Sequence, residues 1–241
     1  MAEMLLSLEG VHTHIGRYHI LQGVDLRVPE GGVTMLLGRN GVGKSTTLRT
    51  IMGFWRASQG NVRFADGDIT QRPTPDIARL GIAYVPEEMG IFGNLSVKEN
   101  MILAARSGEP DDARLKWIFG LFPALETFWL KTAGTLSGGQ KQMLAIARAI
   151  IEPRRLIVVD EPSKGLAPAI VDHLADAFRE LKAARTTLLM VEQNIGLAKA
   201  VGDTVAVMAD GRVIHSGAMA DLARDEALQT RLLGLSLESH Q

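Results

Sequence analysis

Three apolar runs without polar alternation mark the chain: GVTMLLG at 32–38, RLIVVDEP at 155–162 and TTLLMVEQN at 186–194. Continuous Leu, Ile, Val and Met suit strands covered on both faces, which is the situation of a parallel sheet flanked by helices. The amino-terminal part reads differently. LSLEGVHTHI (6–15), LQGVDLRVPE (21–30) and GNVRFADGDI (60–69) alternate only partially and carry turn residues, which predicts antiparallel strands on one flank of the main sheet. Helical spacing begins in KSTTLRTIMGF (44–54) and dominates from about 92 to 150, in SVKENMILAAR (96–106), DARLKWIFGLF (112–122) and GGQKQMLAIARAII (138–151). The expected fold class is α/β: a mostly parallel core sheet, a flanking antiparallel β subdomain and an inserted α-helical subdomain. We expect one domain over 1–241, with core and β subdomain at about 1–91 and 152–241 and the helical subdomain at about 92–151.

Composition narrows the partners. The 26 basic and 27 acidic residues leave a net charge of −1, so no global field recruits nucleic acid or an anionic membrane. Without cysteine, disulfides and thiolate metal sites are excluded. The opening MAEMLLSLEG carries Glu3 and lacks the basic, then apolar, profile of a secretion signal. No run reaches the ~18–20 apolar residues that span a bilayer, so a membrane role would come through a partner.

The strongest chemical signal is GRNGVGKST, residues 38–46. Gly38, Gly43, Lys44 and Ser45 fit G-x-x-x-x-G-K-[ST] between an apolar strand and a helix, the context that a phosphate-binding loop requires. The amides of Gly38, Arg39, Asn40, Gly41, Val42, Gly43, Lys44, Ser45 and Thr46 can then surround phosphate oxygens at a helix N-terminus. Lys44 supplies a fixed cation, and the Ser45 hydroxyl can ligate Mg²⁺. Asp160 ends the second apolar run, where its carboxylate can also hold Mg²⁺. Glu161 follows and suits the deprotonation of water for in-line attack. As a bare pair, Asp-Glu before Pro162 also reads as a segment end, and the Lys44 loop favours catalysis. TLSGGQKQM (135–143) offers a second anion site, at Ser137, Gly138, Gly139 and Gln140. One nucleotide does not need two such sites in one subunit, but two chains arranged head to tail would use both.

In this combination the chain resembles the nucleotide-binding subunits of ATP-binding-cassette (ABC) transporters. GRNGVGKST looks like their Walker A loop, LSGGQ (136–140) like their signature and LIVVDE (156–161) like their Walker B strand, in the family's order. The resemblance covers essentially the whole chain. It implies a P-loop ATPase that binds ATP and Mg²⁺, pairs head to tail with a second cassette ATPase (itself or a related chain), and drives integral-membrane permease subunits. The expected location is peripheral, on the cytoplasmic face of the inner membrane.

Departures from the general pattern point to one branch. VEQN (191–194) places Gln193 where relatives usually carry a histidine on the γ-phosphate, and Asn194 can cap the helix that follows from Ile195. YVPEEMGIF (84–92) places Glu87 where most relatives have the glutamine linking Mg²⁺ to the permease groove. EPSKGLAP (161–168) places Ala167 where an aspartate is usual. Together these resemble the second ATPase of branched-chain amino acid importers, which implies an external solute-binding protein as an indirect partner. Relatives stack adenine on an aromatic before the glycine of HIGRYHIL (14–21); here that position is Ile15, with Tyr18 close by.

Other conspicuous residues have ordinary explanations. His12 and His14 alternate on a strand with no third metal ligand evident, and Trp55, Trp117 and Trp129 suit packing or subunit contacts rather than a cofactor box. RLLGLSL (231–237) reads as a last helix docked on its own domain. The alternatives to amino-acid import are the ATPase of another transporter, a soluble cassette ATPase in repair or translation, and an unrelated P-loop kinase. The kinase leaves LSGGQ unexplained.

Overall fold

The computed structural model describes residues 3–106 and 108–234 and contains two sheets. The first joins β1 (Met4–Ile15), β2 (Tyr18–Pro29), β4 (Ala57–Phe64) and β5 (Gly67–Asp68) in the antiparallel order β2-β1-β4-β5. The second joins β3 (Val33–Gly38), β6 (Ile82–Val85), β7 (Leu156–Asp160), β8 (Thr187–Glu192), β9 (Thr204–Ala209) and β10 (Arg212–Ala218) in the order β10-β9-β3-β8-β7-β6. Its strands are parallel except for β10 at the edge. Both expectations, a mostly parallel core and an antiparallel flank, match this architecture.

Ten α-helices complete the described chain: α1 (Lys44–Ile51), α2 (Thr74–Arg79), α3 (Val97–Ala104), α4 (Asp112–Leu121), α5 (Pro123–Thr127), α6 (Gly138–Ile150), α7 (Pro168–Ala183), α8 (Ile195–Val201), α9 (Met219–Arg224) and α10 (Glu226–Leu233). The apolar runs are continuous because both faces of the sheet are buried. Met35, Ile157, Val159, Leu188 and Met190 face one cluster shared with α6, α7 and the helices between β6 and β7. Leu36, Leu156, Val158, Leu189 and Val191 face another, shared with β1, β2, α1 and α2. Successive side chains of a strand point to opposite faces.

Boundaries shift where a single residue breaks the pattern. The helix expected over 44–54 stops at Ile51, since Gly53 is left-handed (φ 74°) and a Cβ there would stand 2.8 Å from the Arg72 carbonyl oxygen. The strand expected over 60–69 starts earlier, at Ala57, and turns at Ala65 (φ 50°). The helix expected over 112–122 ends because Pro123 forces Phe122 out of helical geometry (φ −132°, ψ 73°). Of the segment 231–237, residues 231–234 pack back on the domain through Leu232 and Leu233; 235–237 lie outside the described residues.

Candidate active site

β3 runs between β8 and β9, so its end delivers Gly38 to the centre of the sheet edge. The loop from there to α1 turns on three glycines of positive φ: Gly38 (147°), Gly41 (81°) and Gly43 (107°). Two of them also lack room for a side chain. A Cβ at Gly38 would lie 2.5 Å from the Met208 carbonyl oxygen, and one at Gly43 2.9 Å from Leu21 Cδ2. Arg39, Asn40 and Gly41 are exposed at the crest, while Val42 and Thr46 are half-buried. The loop ends on the first turn of α1, whose free amides make an anion-attracting terminus.

Lys44 is 4% exposed and folds back under this loop. Its Nζ donates to the carbonyls of Gly38 (2.9 Å) and Arg39 (3.0 Å) and lies 3.7 Å from Glu161 Oε1. Burial lowers its pKa from the ordinary lysine value, and Glu161 and Asp160 oppose that shift. Ser45 Oγ donates to Asp160 Oδ1 at 2.9 Å, and the Tyr84 hydroxyl donates to Asp160 Oδ2 at 3.3 Å. Burial raises the Asp160 carboxyl, with the Ser45 hydrogen bond pulling the other way. Burial, reinforced by Asp160, pushes the Tyr84 phenol up to about 12. Hydroxyl and carboxylate oxygens meeting at one point form a hard donor set that suits Mg²⁺.

Glu161 stands one residue past β7 in a left-handed conformation (φ 47°). Its N–H donates to the Val191 carbonyl at 2.9 Å, extending the β7–β8 ladder by one step. The exposed Gln193 reaches back across the strand ends, and its Nε2 donates to Glu161 Oε1 at 2.6 Å. Asn194 caps α8 by accepting from the Leu197 N–H at 3.1 Å. Gln193 and Asn194, just past the end of β8, therefore have separate tasks.

Glu87 does not join the Ser45–Asp160 pair by a hydrogen bond; its carboxylate is ion-paired with Lys164, which also lies 3.7 Å from Glu161 Oε2. Ser137 and Gln140 form a reciprocal capping box at the start of α6 (2.9 and 3.3 Å). Ser137 and Gly138 are exposed, whereas Gly139 is buried against α7, with Ile170 Cγ2 2.8 Å from where a Cβ would stand. Among the described residues, neither Ser137 nor Gln140 hydrogen-bonds to the 38–46 loop of its own chain.

At the hairpin tip, Ile15 and Tyr18 pair directly across the strands, so they share one face. Tyr18 is 59% exposed, with the Arg17 guanidinium 5.2 Å from its ring centroid. His14 pairs with His19 on the next rung. A third histidine therefore does join His12 and His14, through a 2.9 Å His12–His19 contact. The His14 and His19 rings stack at 4.2 Å, and no metal-capable group of three side chains forms among the described residues. Trp117 packs under Arg114 and Trp129 meets Phe119 edge-on. Trp55 lines a groove of about 760 Å³ with Phe54, Tyr84, Met89, Arg148 and Arg154, between α1, β6 and α6.

A glycine loop that opens a helix, with a buried lysine, a serine–aspartate pair and a glutamate one residue beyond that aspartate, defines a P-loop nucleotide hydrolase. The chain belongs to the ABC transporter family, whose sequence model matches residues 21–164. It is 34% identical to the high-affinity branched-chain amino acid transport ATP-binding protein BraG of Pseudomonas aeruginosa, over 95% of this chain and 100% of that one. It is also 34% identical to a probable branched-chain amino acid transport ATP-binding protein, LivF, of Archaeoglobus fulgidus, over 90% and 93% of the two chains. The ADP conformation of an ATP-binding cassette of an ABC transporter superposes with a TM-score of 0.80 at 26% identity, covering 94% of this chain and 97% of that one. The protein is the ATP-binding subunit of an ABC transporter, an ATPase whose hydrolysis is coupled to transport. No described helix is long and apolar enough to cross a membrane.

Proposed function

We propose that this subunit powers an importer of branched-chain or other amino acids, hydrolysing ATP in a site shared head to tail with a second cassette. The observation that carries the hydrolytic part is the convergence of Lys44, Gln193 and Glu161, with Gln193 Nε2 2.6 Å and Lys44 Nζ 3.7 Å from the same carboxylate oxygen. Backbone amides of residues 38–46 and Lys44 hold the phosphates. Ile15 and Tyr18 together offer an apolar and aromatic surface to adenine. Ser45 and Asp160 would hold Mg²⁺, which would supply positive charge against the phosphates. Gln193 orients a water against the γ-phosphorus, and Glu161 takes the water's proton as its oxygen attacks and the bond to the ADP oxygen breaks.

The exposed Ser137–Gly138 edge, which makes no hydrogen bond to the 38–46 loop of its own chain among the described residues, supports the shared site. It suits the partner's γ-phosphate, with Gln140 bracing the turn from behind. The groove beside α6, with exposed Phe54 and basic Arg148 and Arg154, suits a permease segment of apolar and acidic character. The amino-acid substrate rests on the branched-chain amino acid transport of the BraG and LivF relatives. That coupling would place the subunit on the cytoplasmic face of the membrane. Affinity purification from detergent-solubilised membranes tests the assignment. Stoichiometric recovery of hydrophobic permease chains is expected, and recovery of nucleic acid or ribosomes instead would replace transport with a repair or translation role.

A further inference from the structure

One carboxylate beside the catalytic groups has no part in the chemistry above. Glu192, the last residue of β8, is 1% exposed. Its Oε1 accepts the Ser163 N–H at 3.0 Å. Its Oε2 accepts the Ser163 hydroxyl (2.9 Å), the Gln193 N–H (3.0 Å) and the Asn194 N–H (3.1 Å). All four partners are neutral donors. Two belong to the turn just after Glu161 and two to the turn that carries Gln193.

We propose that Glu192 is a positioning residue for hydrolysis: its carboxylate clamps the 161–163 turn to the 192–194 turn and so fixes the spacing of the backbones that carry Glu161 and Gln193. The inference rests on the reading of Glu161 and Gln193 as the hydrolytic pair. The backbone ladder between β7 and β8 ends with Glu161 N–H on the Val191 carbonyl. Beyond that point the two catalytic side chains sit on separate turns, and Glu161 holds a left-handed conformation (φ 47°) that a non-glycine residue keeps only when its surroundings impose it. The Gln193–Glu161 hydrogen bond cannot provide the bracing itself, because Gln193 has to turn to water and phosphate during turnover. Glu192 reaches both turns from below and leaves the reacting groups free.

The chemistry of the clamp is specific. A carboxylate has two acceptor oxygens and no donor, which matches four converging donors. Glu192→Gln keeps the shape but sets an NH₂ group against at least one N–H or O–H, so one turn loses its anchor. Misplacement of reacting groups by about 1 Å costs on the order of 10²-fold in rate. ATP binding, which relies on the 38–46 loop, is untouched by that change.

The test is a double-mutant cycle on the full chain, reading steady-state kcat and KM for ATP and the melting temperature. Glu192→Gln should lower kcat by about 10–100-fold while KM stays within about threefold of wild type, a split that general loss of fold does not produce. In a Gln193→Ala background the same substitution should have little further effect, because residues that act as a unit are non-additive. Ser163→Ala, which removes one donor and leaves three, should reproduce the kcat loss in milder form and carries the same cycle if Glu192→Gln fails to fold. Wild-type kcat in both Glu192→Gln and Ser163→Ala, or losses that multiply fully with Gln193→Ala, overturns the clamp. If Gln193→Ala slows hydrolysis and the clamp variants do not, the clamp alone falls. If Gln193→Ala turns over like wild type, the reading of Gln193 falls and takes the clamp with it.

Discussion

Glu161→Gln should move ATP binding and ATP turnover in opposite directions. Glu161 Oε1 lies 3.7 Å from Lys44 Nζ with both side chains nearly buried, and it accepts the Gln193 hydrogen bond at 2.6 Å. Phosphates that bind at Lys44 compete with that carboxylate. At an effective dielectric near 20, charges at this separation attract by about 4.5 kcal/mol gross, of which desolvation leaves a fraction. If roughly a third, about 1.4 kcal/mol, is recovered when the amide releases Lys44, ATP binds about tenfold tighter. Loss of the general base works against turnover by about 10²–10⁴-fold, equivalent to about 2.7–5.4 kcal/mol of barrier. Isothermal titration with Mg-ATP reads the first effect, and phosphate release under single-turnover conditions reads the second. Wild-type phosphate release would refute Glu161 as the base. Binding weakened tenfold would refute the competition between Glu161 and phosphate for Lys44.

Lys44→Ala removes the buried cation that donates to the Gly38 and Arg39 carbonyls and should weaken ATP binding by about 10–100-fold, the worth of one or two charge-assisted hydrogen bonds, as read by titration. Ser137→Arg in the assembled transporter should collapse ATPase activity while ATP still binds, and undiminished activity would remove the shared site. Gly138→Asp makes a cleaner second probe than a change at Gly139, because a side chain at Gly139 strikes Ile170. Ser96→Ala should lower the melting temperature by about 2–4 °C through loss of the α3 capping box. The N–H and hydroxyl of Ser96 depress the Glu99 pKa below its ordinary 4.5, so their contribution is present above that pH and lost as pH falls through the depressed value. The gap between wild type and Ser96→Ala in melting scans at pH 7 should therefore narrow in acid.

Most of the fold was legible because burial on both sheet faces leaves an unbroken apolar signature, and β3, β7 and β8 carry it plainly. Helices α1, α3, α4 and α6 were legible from spacing, with Gly53 closing α1 and Pro123 closing α4 ahead of their apolar patterns. The glycine loop could be read because its chemistry is local in sequence: turn, lysine and helix start lie within nine residues. The contacts that sequence missed link distant segments. The ion pair of Glu87 with Lys164 joins positions in two different loops, and His19 meets His12 and His14 only once the hairpin closes. Glu192 looked like the polar end of an apolar run. The signal that could have singled it out was a carboxylate at the last position of a strand buried on both faces, where an ionisable group needs several donors to be tolerated. Ile15 and Tyr18 looked like alternatives because they are three residues apart, and the hairpin register sets them side by side.

The most direct test of ATP-driven import is uptake of radiolabelled leucine into proteoliposomes. These would contain the whole transporter assembled around this subunit, with its solute-binding protein outside and Mg-ATP on the side of the subunit. Accumulation that requires ATP, and that is lost when Glu161→Gln replaces the wild-type chain, is the predicted result. Accumulation that persists at the wild-type rate with Glu161→Gln, or ATP-driven export of leucine, would contradict the account.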